Sequence, residues 1–195
     1  MCWSANGSIA TWLFGMILAI FAKIYNTTSF PIWLLGVEFT QMQLIEYFLW
    51  KNLNNLSQNR LWSVIGFILI ILQPVISIYS IQQIQLRNFL WLSFIIITII
   101  YISTTHIEFK TEIGKNAHLK WNWLFSRYDW YAILWFIGLL VPLAISKHYF
   151  AFVFGLITLL FSFYNNYKYQ TVGSYWCWFV VFGWLGAIIK YYIDN

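Results

Sequence analysis

The sequence predicts an all-α integral membrane protein, a single bundle of seven transmembrane helices, and three observations carry that prediction. Residues are 61% hydrophobic and only 9% charged, whereas a soluble domain carries about 25% charged residues. Apolar runs recur along the whole chain and are separated by short polar breaks. Thirteen Trp and thirteen Tyr, many of them at the ends of those runs, suit the aromatic belts of a membrane–water interface. A chain of 195 residues cannot hide so much apolar surface in one small core, because a domain of that size still exposes a large fraction of its atoms. A lipid bilayer removes the difficulty, and it is the first partner the sequence implies.

The runs fall at 8–23, 31–50, 61–80, 88–103, 130–146, 149–165 and 173–191. Several are shorter than the ~20 residues that span a hydrocarbon core, so the helices are expected to extend into the Trp- and Tyr-rich flanks. Ser146-Lys147-His148 is a tight turn between the fifth and sixth runs, and Pro74 and Pro142 lie inside runs, where proline kinks a helix. No internal repeat and no second domain is visible, so residues 1–195 read as one transmembrane domain. The long connection, 104–129, is polar in its first half with a turn at Gly114. Its second half sets Leu119, Trp121, Trp123, Leu124 and Phe125 among lysine and arginine, the pattern of an interfacial amphipathic loop.

The net charge of +5 comes from scattered lysines and arginines. No basic run is dense enough for nucleic acid, and the charge suits anionic lipid headgroups instead. The opening residues run directly into an apolar stretch without a positive n-region, so no cleavable signal peptide is expected. Two cysteines are too few for a disulfide framework, and the sequons at Asn6, Asn26 and Asn55 are weak signals in an Asn-rich chain. Seven spans put Lys51, Arg60, Lys110, Lys115, Lys120, Arg127 and Lys168 on the side of the N-terminus, and Lys23, Arg87, Lys147 and Lys190 on the other. The positive-inside rule then predicts a cytosolic N-terminus.

The same topology gathers the reactive side chains. Cys2 precedes the first span, Glu46 lies in the last turns of the second, His106 and His118 sit in the long loop, and Cys177 lies in the first turns of the seventh. All fall near one membrane face, with His148 on the other. Glu38 lies eight residues before Glu46 in VEFTQMQLIEYFLW (37–50), which is about 12 Å along a helix and roughly 80° around it. With Gln41 and Gln43 they form a polar sector that should face protein rather than lipid, since a carboxylate in hydrocarbon is unfavourable by ~2.5–3.5 kcal/mol. Each residue also has an ordinary reading: a span-end glutamate can snorkel, a membrane cysteine fills space, and a loop histidine is usually solvated. The clustering of Cys, Cys, His and Glu is what points further, to the ligand types of a transition metal such as zinc and to a nucleophile with its base.

At these residues the sequence resembles an uncharacterised family of small multi-pass membrane proteins that open with a Met-Cys-Phe-Ser-Ala motif. Here the opening is MCWSA, and the family's Gln-Gln-x-x-Glu-Gly-x-x-Trp pattern appears as MQLIEYFLW, keeping Gln43, Glu46 and Trp50. His118-Leu119 and Ser174 to Phe179 resemble its later His-Leu and Ser-x-Trp-Cys-Phe motifs, with Trp178 departing. The resemblance implies that Cys2, Gln43, Glu46, His118 and Cys177 belong together.

Two functions follow as expectations. The first is a metal- or thiol-dependent membrane-embedded enzyme acting on a lipid-like substrate. Cys2, Glu46 and His118 would be its catalytic residues, and Cys2, Glu46, His118 and Cys177 its metal ligands. The second is a proton or small-cation channel or transporter that uses Glu38, Gln41, Gln43 and Glu46, with a homo-oligomer able to supply a ring of charges. A retinal protein is not expected, because Tyr175 to Ile188 contains no lysine for a Schiff base. A structural, partner-binding membrane protein is the remaining class.

Overall fold

The computed structural model describes residues 4–124 and 130–194. Among these, the chain is helical apart from connecting turns and one two-stranded hairpin. The helices are α1 (Ala5–Ile24), α2 (Phe30–Lys51), α3 (Leu56–Tyr79), α4 (Ile84–Thr104), α5 (Trp130–Ile145), α6 (Tyr149–Asn166), α7 (Val172–Cys177) and α8 (Val180–Asp194). Two helix starts, those of α1 and α3, are capped by side chains: the Gly7 amide donates to Ser4 Oγ, and the Gln58 amide to Asn55 Oδ1. Five segments are long and apolar enough to cross a membrane: α1, α3, α4, α6 continued to Tyr169, and Val172–Asp194. The seventh expected run is not one unbroken helix, because a tight turn at 178–179 separates α7 from α8 immediately after Cys177.

The surface is the inverse of a soluble protein's. Leu13, Ile17, Ile99, Ile133, Ile157 and Leu160 point outward, while Glu38, Thr40, Gln43, Glu46, Ser63 and Gln73 are buried. Hydrocarbon outside and polar groups inside is the arrangement a bilayer favours.

Successive helices alternate in direction. Trp12 pairs with Gln41 and Trp33 with the Ala19 carbonyl, so α1 and α2 run antiparallel. Phe48 stacks on Trp62 at one end of α2 and Glu38 faces Gln73 farther along, so α2 and α3 do likewise. Trp91 reaches the Val75 carbonyl, Thr98 meets Tyr131, and Phe136 meets Phe163, which carries the alternation through α4, α5 and α6. The last helix returns to the first two. Trp184 packs with Ala19 and Ala22 and donates its indole N–H to Thr40 Oγ1 at 3.2 Å. A Cβ on Gly36 would lie 2.5 Å from that indole, so only glycine permits the approach.

The described part of the connection after α4 forms a β-hairpin, an element not expected from the sequence. Thr111–Ile113 (β1) and Leu119–Trp121 (β2) pair antiparallel, with Thr111 opposite Trp121. Leu119, Trp121 and Trp123 turn into the protein while Lys120 and Asn122 stay at its edge. The physical reason is that this segment finds protein partners that lipid cannot offer. Asn59 of α3 donates to the Thr111 carbonyl at 2.9 Å and accepts from the Thr111 amide at 2.8 Å. Thr111 Oγ1 also meets Ser63 and the Trp123 indole. At the turn, Asn116 donates to Asn166 and Thr171. On the outer edge Glu112 bridges Lys120 and Lys110, and its hydrogen bond from Lys120 holds the Glu112 carboxyl below the usual range. Phe125 and Arg127 lie outside the described residues.

Candidate buried polar site

The site begins on α2, the helix with neighbours on most sides. Glu46 and Gln43 are fully buried and Glu38 is 5% exposed. Gln41 is not part of this sector. Its side chain turns to α1, accepting from Trp12 Nε1 at 3.1 Å and donating to Met16 Sδ at 3.3 Å. Only 100° separates successive residues on a helix, so α2 can present Gln41 to one neighbour and the glutamates to others. The group beside Glu38 is Gln73 of α3, which the sequence reading missed. Its amide acts on the carboxyl, yet no atom of either side chain closes a hydrogen bond with a described residue. The signal was available: Gln73 interrupts the apolar stretch 64–76 of α3, and the cost argument that singles out Glu38 applies to it equally.

Cys177 is buried at the end of α7, where the carboxyls of Glu46 and, next, Glu38 act on its thiol electrostatically. Glu46 of α2 and Cys177 of α7 thus lie within electrostatic reach of each other, while Glu38 lies about two turns further along α2. His118 arrives from the hairpin. Ala117 before it takes a left-handed conformation, φ 61°, and the Gly114 amide donates to the His118 carbonyl, which closes the turn. The imidazole lies edge-on to Tyr175 of α7, ring centres 5.4 Å apart. Burial brings its pKa down to about 4, so the ring is neutral at physiological pH. His106 is exposed. His148 lies at the far end of the bundle, 3.5 Å from Ser29 Oγ.

A cavity of about 800 Å³ opens beside Cys177, while Glu38, Glu46 and His118 are not among its lining residues. Cys177, Trp176, Trp121, Lys120, Phe163 and Tyr167 are among its walls. No family model, curated protein or solved structure matches the chain. Among the described residues no three His, Cys, Asp or Glu side chains are grouped to hold a metal. Cys2, the remaining member of the expected set, lies outside the described residues.

The state of His118 sets a pH dependence. Its folded pKa of about 4 lies below the ordinary ~6.5 of an unfolded histidine, so the unfolded chain binds the extra proton first. Stability is complete above ~6.5 and falls as pH drops towards 4, by about 1–2 kcal/mol once solvent screening at the hairpin is allowed for. Thermal unfolding in detergent at pH 7.5 and pH 4.5 should show the loss in the native chain, and His118→Gln should reduce it. Equal losses in both would assign it to other groups.

Proposed function

We propose that this is a seven-span membrane protein, with α2 and α5 crossing alongside the five longer apolar segments, and that it is a membrane-embedded enzyme acting on a lipid-like substrate. The observation that carries this reading is the position of Cys177: its thiol lies in the field of Glu46 and at the wall of a cavity with apolar and aromatic walls. The break in the last span directly after Cys177 supports it, since irregular backbone inside a membrane protein is tolerated where it lines a cavity. In this reading Glu46 and His118 supply acid–base chemistry. Cys177 and Cys2 supply thiols, either as ligands of a zinc-like metal or as a nucleophile. The hairpin end, which carries most of the loop lysines and arginines, faces the cytosol.

The test is to purify the protein in lipid nanodiscs, measure its metal content by elemental analysis, and follow added lipid extracts by mass spectrometry. A lipid class consumed over time supports the enzyme, and stoichiometric metal selects the metal-dependent form. No consumption of any class, with no bound metal, removes the reading.

One observation favours a channel or transporter instead: Glu38 and Gln73 form a second buried polar site about two turns deeper than Glu46. If ions use that path, Glu38→Gln should lower proton or cation flux into liposomes more than Glu46→Gln does. Liposomes containing the native chain that show no flux above empty ones would exclude it.

A further inference from the structure

At the end of the bundle remote from the hairpin, a cavity of about 610 Å³ lies between α2, α5, α6 and α8, within the ~300–1,000 Å³ range of small-molecule sites. Leu35, Phe39, Leu140, Phe154, Phe179 and Trp184 make its interior apolar. Its mouth is different. Lys147, His148 and Lys190 stand there with a single carboxylate, Asp194, which pairs with Lys190. Lys147 is exposed and, among the described residues, has no carboxylate within ion-pair distance.

The backbone adds to this charge. Both α2 and α6 begin at the mouth, and neither Ser29 nor His148 caps its helix through the side chain. Uncapped N–H groups and the positive ends of two helix dipoles therefore point to the same place. Thr27 Oγ1 and Thr28 Oγ1 are buried there, without a hydrogen-bond partner among the described residues. An apolar chamber with a cationic, donor-rich mouth is complementary to one kind of molecule in a bilayer, an anion with a hydrocarbon tail.

We propose that this cavity binds an anionic phospholipid from the surrounding bilayer, with an acyl chain among Leu35, Phe39 and Phe154 and the phosphate between Lys147 and the starts of α2 and α6. The proposal rests on the membrane-spanning reading and not on the enzymatic one. Phosphate oxygens would take the orphan donors at the starts of both helices, which a zwitterionic headgroup does less well because its ammonium is repelled by the lysines.

The experiment exchanges the purified full chain into mixed micelles of phosphatidylglycerol and phosphatidylcholine with identical acyl chains, then quantifies retained lipid by mass spectrometry. Native protein should retain phosphatidylglycerol preferentially. Lys147→Gln, an exposed position that leaves the fold intact, should cut the preference by about fivefold, the equivalent of ~1 kcal/mol per basic residue near a headgroup. Ala151→Phe, which fills the cavity, should reduce retention of both lipids. If that variant does not fold, the Lys147→Gln result decides alone. Equal retention of the two lipids, or a preference that Lys147→Gln leaves unchanged, overturns the proposal. Glu46→Gln should keep the preference even where lipid turnover is lost, so this site and the enzymatic reading fail separately. A chain that does not fractionate with membranes would defeat the spanning reading before either.

Discussion

Under the proposed enzymatic function, Glu46→Gln should abolish lipid turnover, with a fall of about 10²–10⁴ typical of losing a positioned acid–base group, while the purified protein remains folded. The substitution keeps the shape of a fully buried side chain and removes only its ability to exchange a proton or carry charge. Because Glu46 lies within electrostatic reach of Cys177, the same change should lower metal content if the metal-dependent form is correct. Glu38→Gln serves as the internal comparison. It lies eight residues away on α2 beside Gln73 and should change turnover only mildly. A Glu46→Gln protein with native turnover and native metal content would remove Glu46 from the chemistry.

Asn59→Leu should give the largest loss of stability. Asn59 is 2% exposed and satisfies both the amide and the carbonyl of Thr111. Leucine fills a similar volume but leaves both backbone groups buried without a partner, at about 1–3 kcal/mol each. For a chain of this size that corresponds to a fall in Tm of roughly 5–15 °C, read by thermal unfolding in detergent. Gln58→Ala, at the exposed neighbouring position, should leave Tm unchanged. An Asn59→Leu protein that melts with the native one would mean that the hairpin is not held through Thr111.

These two residues also mark how much the sequence could tell. The burial of Glu38, Gln43 and Glu46 follows from one physical rule, the expense of polar groups in hydrocarbon, and a rule that acts residue by residue can be read from a string. Partner choice cannot. Gln41 sits one helical turn from Glu38, and nothing local decides that Trp12 and Met16 of α1 would claim it. The hairpin had a readable signal, the alternation Leu119-Lys120-Trp121-Asn122-Trp123, whose period of two is that of a strand. Its lysines and tryptophans also fit an interfacial segment, and only the docking onto Asn59 and Ser63 separates the two readings. The interruption after Cys177 was hidden because Trp178 and Phe179 are as apolar as their neighbours, so hydropathy runs through the turn unbroken. The five long apolar segments were plain for the opposite reason. Each is set by its own composition, whatever it packs against.

The closure of α8 on α1 and α2 has a bearing on how the protein is made. Trp184 and Thr40 are 144 positions apart, and a ribosome delivers Thr40 long before Trp184. The pairs α1–α2 and α2–α3 join neighbours in the chain and can form as each helix leaves the translocon. The groove over Gly36 and Thr40, with Ala19 and Ala22 beside it, stays open throughout that time and is filled only when the last helix emerges. A nascent chain halted before Val180 would present that small-residue groove to the bilayer, where small residues favour close helix approach. It is then a surface on which a membrane chaperone or an unrelated helix could settle. The seam that the final helix seals is thus the last part of the bundle to become inaccessible.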